Sequence, residues 1–176
     1  MIKFTNTIIC LIVLAFIYSC GSNQIEQNKQ VENKSGEMLI NVNKYMVKKD
    51  VELIKTYIKR RSWNLTESES GLWYGIYKHA NGKMPKLGSK VTVSYKLELL
   101  DGSLCYSSDS LGLKTFIIGK GTVENGFDEG ILLMHVGDAA HLILPPHLAF
   151  GLVGDQKCIP PRSIIVYDVA LLKIEE

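Results

Sequence analysis

Leu142-Ile143-Leu144-Pro145-Pro146-His147-Leu148-Ala149-Phe150-Gly151 (LILPPHLAFG) opens as a buried β-strand, meets two prolines, and then sets an aromatic directly before a glycine. Proline donates nothing to a sheet ladder, so the strand stops at residue 144 or 145. The stretch therefore reads as a core strand cut short, with an aromatic held just beyond it.

Working outward, the flanking segments are also β. Gly71–Tyr77 (GLWYGIY) reads as a strand, and 79–90 as a loop rich in turn residues. Val91–Leu100 alternates and runs into Asp101-Gly102, a strong hairpin signal. Thr115–Gly119 is a short strand, and Ser163–Ile174 a long closing one. Between them Glu124–Met134 carries Phe127, Ile131, Leu132 and Met134 at helical spacing. Four or five antiparallel strands interrupted by one short helix make an α+β domain, set at residues 71–176.

Ahead of this domain the pattern is helical over 37–63. Val47, Val51, Ile54 and Ile58 form a stripe that Met46, Leu53 and Tyr57 widen, and the basic residues fall largely outside it. Two readings follow: a helix docked on its own domain, or a helix that pairs with a second copy. The stripe spans only about two heptads, too short to read as a coiled coil. Residues 20–36 are polar, with a single Ile beyond Cys20, and read as a flexible tether.

Lys3 precedes eleven apolar residues, Ile8–Tyr18. That run is short of the roughly 20 needed to span a bilayer but suits the apolar region of a signal peptide, set at 1–19. Ile17-Tyr18-Ser19-Cys20 resembles a bacterial lipobox, departing from it in the first two positions, and makes Cys20 the lipid attachment site. Acylation there implies a chain anchored to a membrane without crossing it, in a bacterial cell envelope and facing the periplasm.

The formal charge is +2, or +1 once residues 1–19 with their one lysine are removed. No basic stripe stands out, which argues against nucleic acid as a partner. Of four cysteines, Cys105 and Cys158 remain in the expected mature domain. A disulfide and two separate buried thiols are both open. His135, His141 and His147 lack acidic or cysteine partners at ligand spacing, so no metal is expected. Asp128-Glu129 read as solvated charges at a helix start.

Three stretches in this order, GSKVTVSYKLELLDG (88–102), FIIGKGTVENGFDEGILLMHVGDAAHLILPPHLAFG (116–151) and IPPRSIIVYDVALLKI (159–174), resemble the FKBP-type peptidyl-prolyl isomerases. With its lipobox, tether and helix, the chain is also similar to the gliding-motility-associated isomerase lipoproteins of the Bacteroidetes. The resemblance implies a five-stranded antiparallel sheet wrapped around a short helix, with a pocket between them that takes proline-containing polypeptides and needs no cofactor. It implies catalytic roles for Tyr95, Phe127, Phe150 and Tyr167, with substrate also held by Tyr106, Phe116, Val123, Ile159 and the backbone N–H of Glu124. Phe127 stands where most members carry Trp, Phe150 where Tyr is commoner, and Cys105-Tyr106 where Phe-Asp is usual. Lys114 replaces an aromatic at the rim. The resemblance places Cys105 on the strand wall and Cys158 in the overhanging loop. An isomerase, a non-catalytic chaperone or binding module, and a structural subunit of an envelope machine are the functions these features allow.

Overall fold

A computed structural model describes the backbone of residues 22–175 and the side chains of residues 37–175. The expected signal segment and Cys20 lie outside the described residues. Among the described residues no helix is long and apolar enough to cross a membrane. The described residues divide into two compact units, one up to residue 48 and the other from residue 49 onward.

Helix α1 runs from Ser22 to Arg61, beginning in the first unit and ending in the second. It corrects the expected boundaries: residues 22–36, read as a flexible tether, have helical backbone. Gln, Glu and Lys are good helix formers and the segment holds no proline, so polarity alone did not break it. In the first unit Met38, Leu39, Ile40, Val42 and Tyr45 are exposed.

In the second unit α1 docks as one of the two readings required. Ile54 and Tyr57 are buried with Trp73, Ile143, Ile164 and Val166, while Val51 and Ile58 pack at the margin. Leu53, expected to widen the stripe, stays 46% exposed. The helix stops in a Schellman arrangement: Ser62 takes a left-handed φ of 53°, its N–H donates to the Lys59 carbonyl, and Trp63 N–H donates to Ile58.

The sheet contains β1 (Thr66–Glu67), β2 (Trp73–Lys78), β3 (Lys90–Leu99), β4 (Leu104–Ser107), β5 (Lys114–Ile117), β6 (Ala139–Leu144) and β7 (Ile165–Glu175), all paired antiparallel. Its order is β1-β2-β6-β7-β3-β4, with β5 also on β3. The five expected strands are present, and the short β1 and β4 are added to them. Register explains which face is which. Leu142 opposes Tyr167 and Leu144 opposes Ile165, all in the main core, while Ile143 and Val166 pair between them and meet α1. Both faces of this part of the sheet are therefore covered.

A four-residue helix, α2 (Ser108–Leu111), follows β4, and α3 (Asn125–Leu132) lies on the inner face. The approach of α3 is close because Gly130 and Gly126 face β6: a Cβ on Gly130 would stand 2.5 Å from a Leu142 methyl. The strand cut short in the sequence ends at Leu144, and Pro146–Leu148 forms a 3-10 turn whose Leu148 N–H returns to the Pro145 carbonyl at 3.0 Å.

Asp128 and Glu129 correct another expectation. Both are half-buried and bonded, Asp128 accepting the Gly119 N–H at 2.9 Å and Glu129 the Ser70 hydroxyl at 2.6 Å. Their position in α3, against neighbouring loops, gives them protein partners and leaves them only partly in the solvent that the sequence suggested.

The fully buried Asp138 fixes the entry to β6, accepting N–H bonds from Ala80 at 2.6 Å and His135 at 2.7 Å. Burial pushes its carboxyl up, but the His135 and Ala80 donors outweigh that and hold it below the usual carboxylate range. A depressed native pKa means that stability from this group is complete above the ordinary carboxylate range and is lost as pH falls through the native value. Urea unfolding between about pH 6 and about pH 3 should show this loss. Asp138→Asn, which sets a donor against donors, should cost about 2–3 kcal/mol at neutral pH and flatten this acid dependence.

Candidate functional site

The inner face of β3 and β7, the start of α3 and the loop after Phe150 enclose a cavity of about 320 Å³. Tyr95 from β3 and Tyr167 from β7 are brought together by strand pairing, Tyr95 lying opposite Val169 and Leu97 opposite Tyr167. Their ring centroids are 6.2 Å apart. Tyr106, Glu124 and Phe150 complete the expected residues that line the cavity, and Leu97, Lys114, Thr122, Asp155 and Lys157 line it as well.

Phe127, Phe116, Val123 and Ile159 are buried in the main core, one layer behind that lining. The Phe127 ring lies tilted against Tyr167, 4.3 Å between centroids, and against Phe116 at 5.6 Å. Over its face, at 5.7 Å, lies the Lys114 ammonium, which is also 5.6 Å from the Tyr95 ring. The aromatic layer is thus continuous from Phe116 through Phe127 and Tyr167 to Tyr95, with a cation above it.

Several of the polar groups in the lining are committed to one another. The Tyr167 hydroxyl donates to Glu124 at 3.1 Å. Burial, then the Glu124 charge and hydrogen bond, raise the Tyr167 phenol well above its ordinary value, so it remains a donor. Glu124 is the N-cap of α3, ahead of the first turn, so the helix makes no use of its N–H. The Tyr106 hydroxyl donates to Asp155, which also accepts the N–H groups of Lys157 at 2.9 Å and Ile159 at 2.7 Å. Burial raises the Asp155 carboxyl, but these donors, Tyr106 foremost, bring it below the usual range.

Cys105 and Cys158 form a disulfide, with Cα atoms 5.5 Å apart. It ties β4 to the loop over the cavity, beside the Tyr106–Asp155 bond, so two links hold the same pair of segments. The loop is closed by Gly154 at φ 71°, where a Cβ would stand 2.2 Å from the Ile159 carbonyl oxygen. Neither backbone nor φ can yield there, so Gly154→Ala should cost about 2–3 kcal/mol and lower peptide affinity, read by thermal unfolding and titration.

The histidines sit apart. His141 stacks on Trp63 at 3.8 Å, His147 lies 2.9 Å from the Ser70 carbonyl oxygen, and His135 faces Asp138. Among the described residues no three His, Cys, Asp or Glu side chains gather as a metal site would require. Sequence reasoning left Leu97, Thr122, Asp155 and Lys157 out of the site. The resemblance placed Cys158 in the loop over the pocket but gave no role to Asp155 and Lys157 of the same loop.

An antiparallel sheet packed on a short helix thus holds a hollow walled in part by aromatic rings. The profile of the FKBP-type peptidyl-prolyl cis-trans isomerases matches residues 81–172. The chain is 47% identical over 92 residues to the peptidyl-prolyl cis-trans isomerase Fkbp12 of Drosophila melanogaster, covering 52% of this chain and 85% of that one. It is 35% identical over 103 residues to FK506-binding protein 1 of Dictyostelium discoideum, covering 58% and 96%. Among solved structures, FkpA from Escherichia coli gives a TM-score of 0.64 at 26% identity, covering 97% of this chain and 82% of that one. AtFKBP13 gives 0.60 at 29%, covering 64% and 99%. The chain belongs to the FKBP-type peptidyl-prolyl cis-trans isomerase family.

Proposed function

We propose that the chain accelerates rotation about X-Pro bonds in envelope proteins while anchored to a membrane through Cys20. The observation that carries the isomerase reading is the cavity of about 320 Å³ walled by Tyr95, Phe150 and Tyr167, with Phe127 behind them. X-Pro rotation faces a barrier of about 18–20 kcal/mol from amide resonance. The twisted transition state has lost that resonance and is less polar than the planar amide, so an apolar, water-poor site favours it selectively. The proline ring lies against the aromatic layer, and the Glu124 N–H holds a substrate carbonyl. Tyr95 offers a hydroxyl at the wall, while that of Tyr106 is held by Asp155. No proton changes hands.

The test is the cis-to-trans rate of a short X-Pro peptide with and without the chain from Gly21. Acceleration of the wild type, abolished by Tyr95→Ala together with Phe150→Ala, supports the reading. A folded wild type that accelerates nothing refutes it. One observation favours a second reading, a non-catalytic chaperone: the Lys114 ammonium covers the rings a proline must reach. Peptide binding without turnover would select it.

The envelope location, resembling that of the Bacteroidetes isomerase lipoproteins, rests on the lipobox-like Ile17-Tyr18-Ser19-Cys20. Cys20→Ser should move the protein from the membrane to the soluble fraction of cells, and unchanged fractionation refutes the anchor. A homodimer through the N-terminal helix is supported by the exposed Met38, Leu39, Ile40, Val42 and Tyr45. Sedimentation of wild type beside a variant with Ile40 and Tyr45 changed to Lys decides it.

A further inference from the structure

We infer that Lys114 makes the site selective for segments with an acidic residue immediately before the proline. The inference rests on the isomerase reading for the position of the proline and adds what that reading leaves open, the chemistry of the flanking residue.

Lys114 is half-buried on β5, and its ammonium lies 5.6 Å from the Tyr95 centroid and 5.7 Å from that of Phe127. It forms no ion pair with a carboxylate among the described residues, and its half-exposed ammonium faces two aromatic rings. The two anions of the cavity are engaged elsewhere, Glu124 by the Tyr167 hydroxyl and Asp155 by Tyr106 and two backbone N–H groups. Lys157 adds a second, exposed cation to the lining.

A proline ring placed on Phe127 displaces the ammonium from that face. The displaced cation gives up its ring contact and needs an anion nearby. Consecutive Cα atoms are about 3.8 Å apart across a trans peptide and about 2.9 Å across a cis one. The residue before the proline is therefore close to the displaced ammonium in both isomers, and the lysine stem is flexible enough to follow it. A Glu or Asp there supplies the missing partner, a Gln does not, and a Lys is repelled. Because the pair forms with both isomers and with the twisted state between them, it acts on binding more than on turnover.

The test uses the full chain in mild detergent and three peptides differing only before the proline: Glu-Pro, Gln-Pro and Lys-Pro. Affinity is measured by titration and turnover by the isomerisation rate. The expected result is tighter binding of Glu-Pro than of Gln-Pro by about fivefold, with Lys-Pro weakest. The preference should collapse in Lys114→Met, survive in Lys114→Arg, and shrink in wild type at about 1 M salt. Equal affinity for Glu-Pro and Gln-Pro overturns the inference, as does a preference unchanged in a folded Lys114→Met. Should Lys114→Met not fold, the salt series on wild type decides alone, and a salt-independent preference counts against. Failure of the isomerase reading looks different: no peptide is turned over, while the affinity order still reports on Lys114.

Discussion

Reducing the Cys105–Cys158 disulfide should lower the unfolding free energy by about 4 kcal/mol. The link spans a sequence separation of 53 residues, and the chain-entropy cost of an uncrosslinked denatured state grows with the loop closed. The expected fall in melting temperature is on the order of 10–20 °C. Both cysteines are half-buried rather than sealed, so a small dithiol reaches them. Thermal and guanidinium unfolding with and without the reductant measure the shift. A double Cys→Ser variant should start at the reduced value and not respond to reductant. A shift below about 1 kcal/mol would mean that Tyr106–Asp155 and the neighbouring pairing already restrict the denatured chain.

The second large effect is at Phe127. Its ring is fully buried between Tyr167 at 4.3 Å and Phe116 at 5.6 Å. Phe127→Ala removes the middle of that layer and leaves a cavity, at a cost of about 3–5 kcal/mol. The loss is large enough that activity of this variant reports on folding as much as on chemistry. Phe127→Leu separates the two: a swap of similar volume costs under about 1.5 kcal/mol. It nonetheless takes away the flat face, and kcat/KM should fall about tenfold, equivalent to about 1.4 kcal/mol of transition-state stabilisation. Peptide isomerisation beside urea unfolding resolves this. Full activity in Phe127→Leu would mean the ring only supports Tyr167.

Much of the fold was legible because strand period and turn chemistry agree. Val91–Leu100 with Asp101-Gly102 read as a strand entering a hairpin. The turn is made as expected, Gly102 at φ 91° with its N–H on the Leu99 carbonyl. The start of α1 was not legible, since a polar segment with good helix formers looks like a tether whenever composition is weighed above propensity. For the disulfide, the resemblance put Cys105 on the strand wall and Cys158 in the overhanging loop, but whether they pair depends on the exact separation of β4 and that loop, which local pattern does not encode. The aromatics were picked out by the family resemblance, since rings in a small β-rich domain are otherwise read as core. Lys114 stood out only as a missing aromatic, and its place over two rings came from the pairing of β5 with β3.

Strand β7 lies in the middle of the sheet, paired with β6 on one side and with all of β3 on the other, yet it is the last strand in chain order. During synthesis the ribosome therefore releases β3 and β6 long before the strand that joins them exists. Until residues 165–175 emerge, each has an open edge able to pair with another nascent chain. A translation product stalled before residue 165 should be insoluble even though it contains most of the cavity lining. Until β7 has paired, the chain is itself a folding substrate with strand edges to protect.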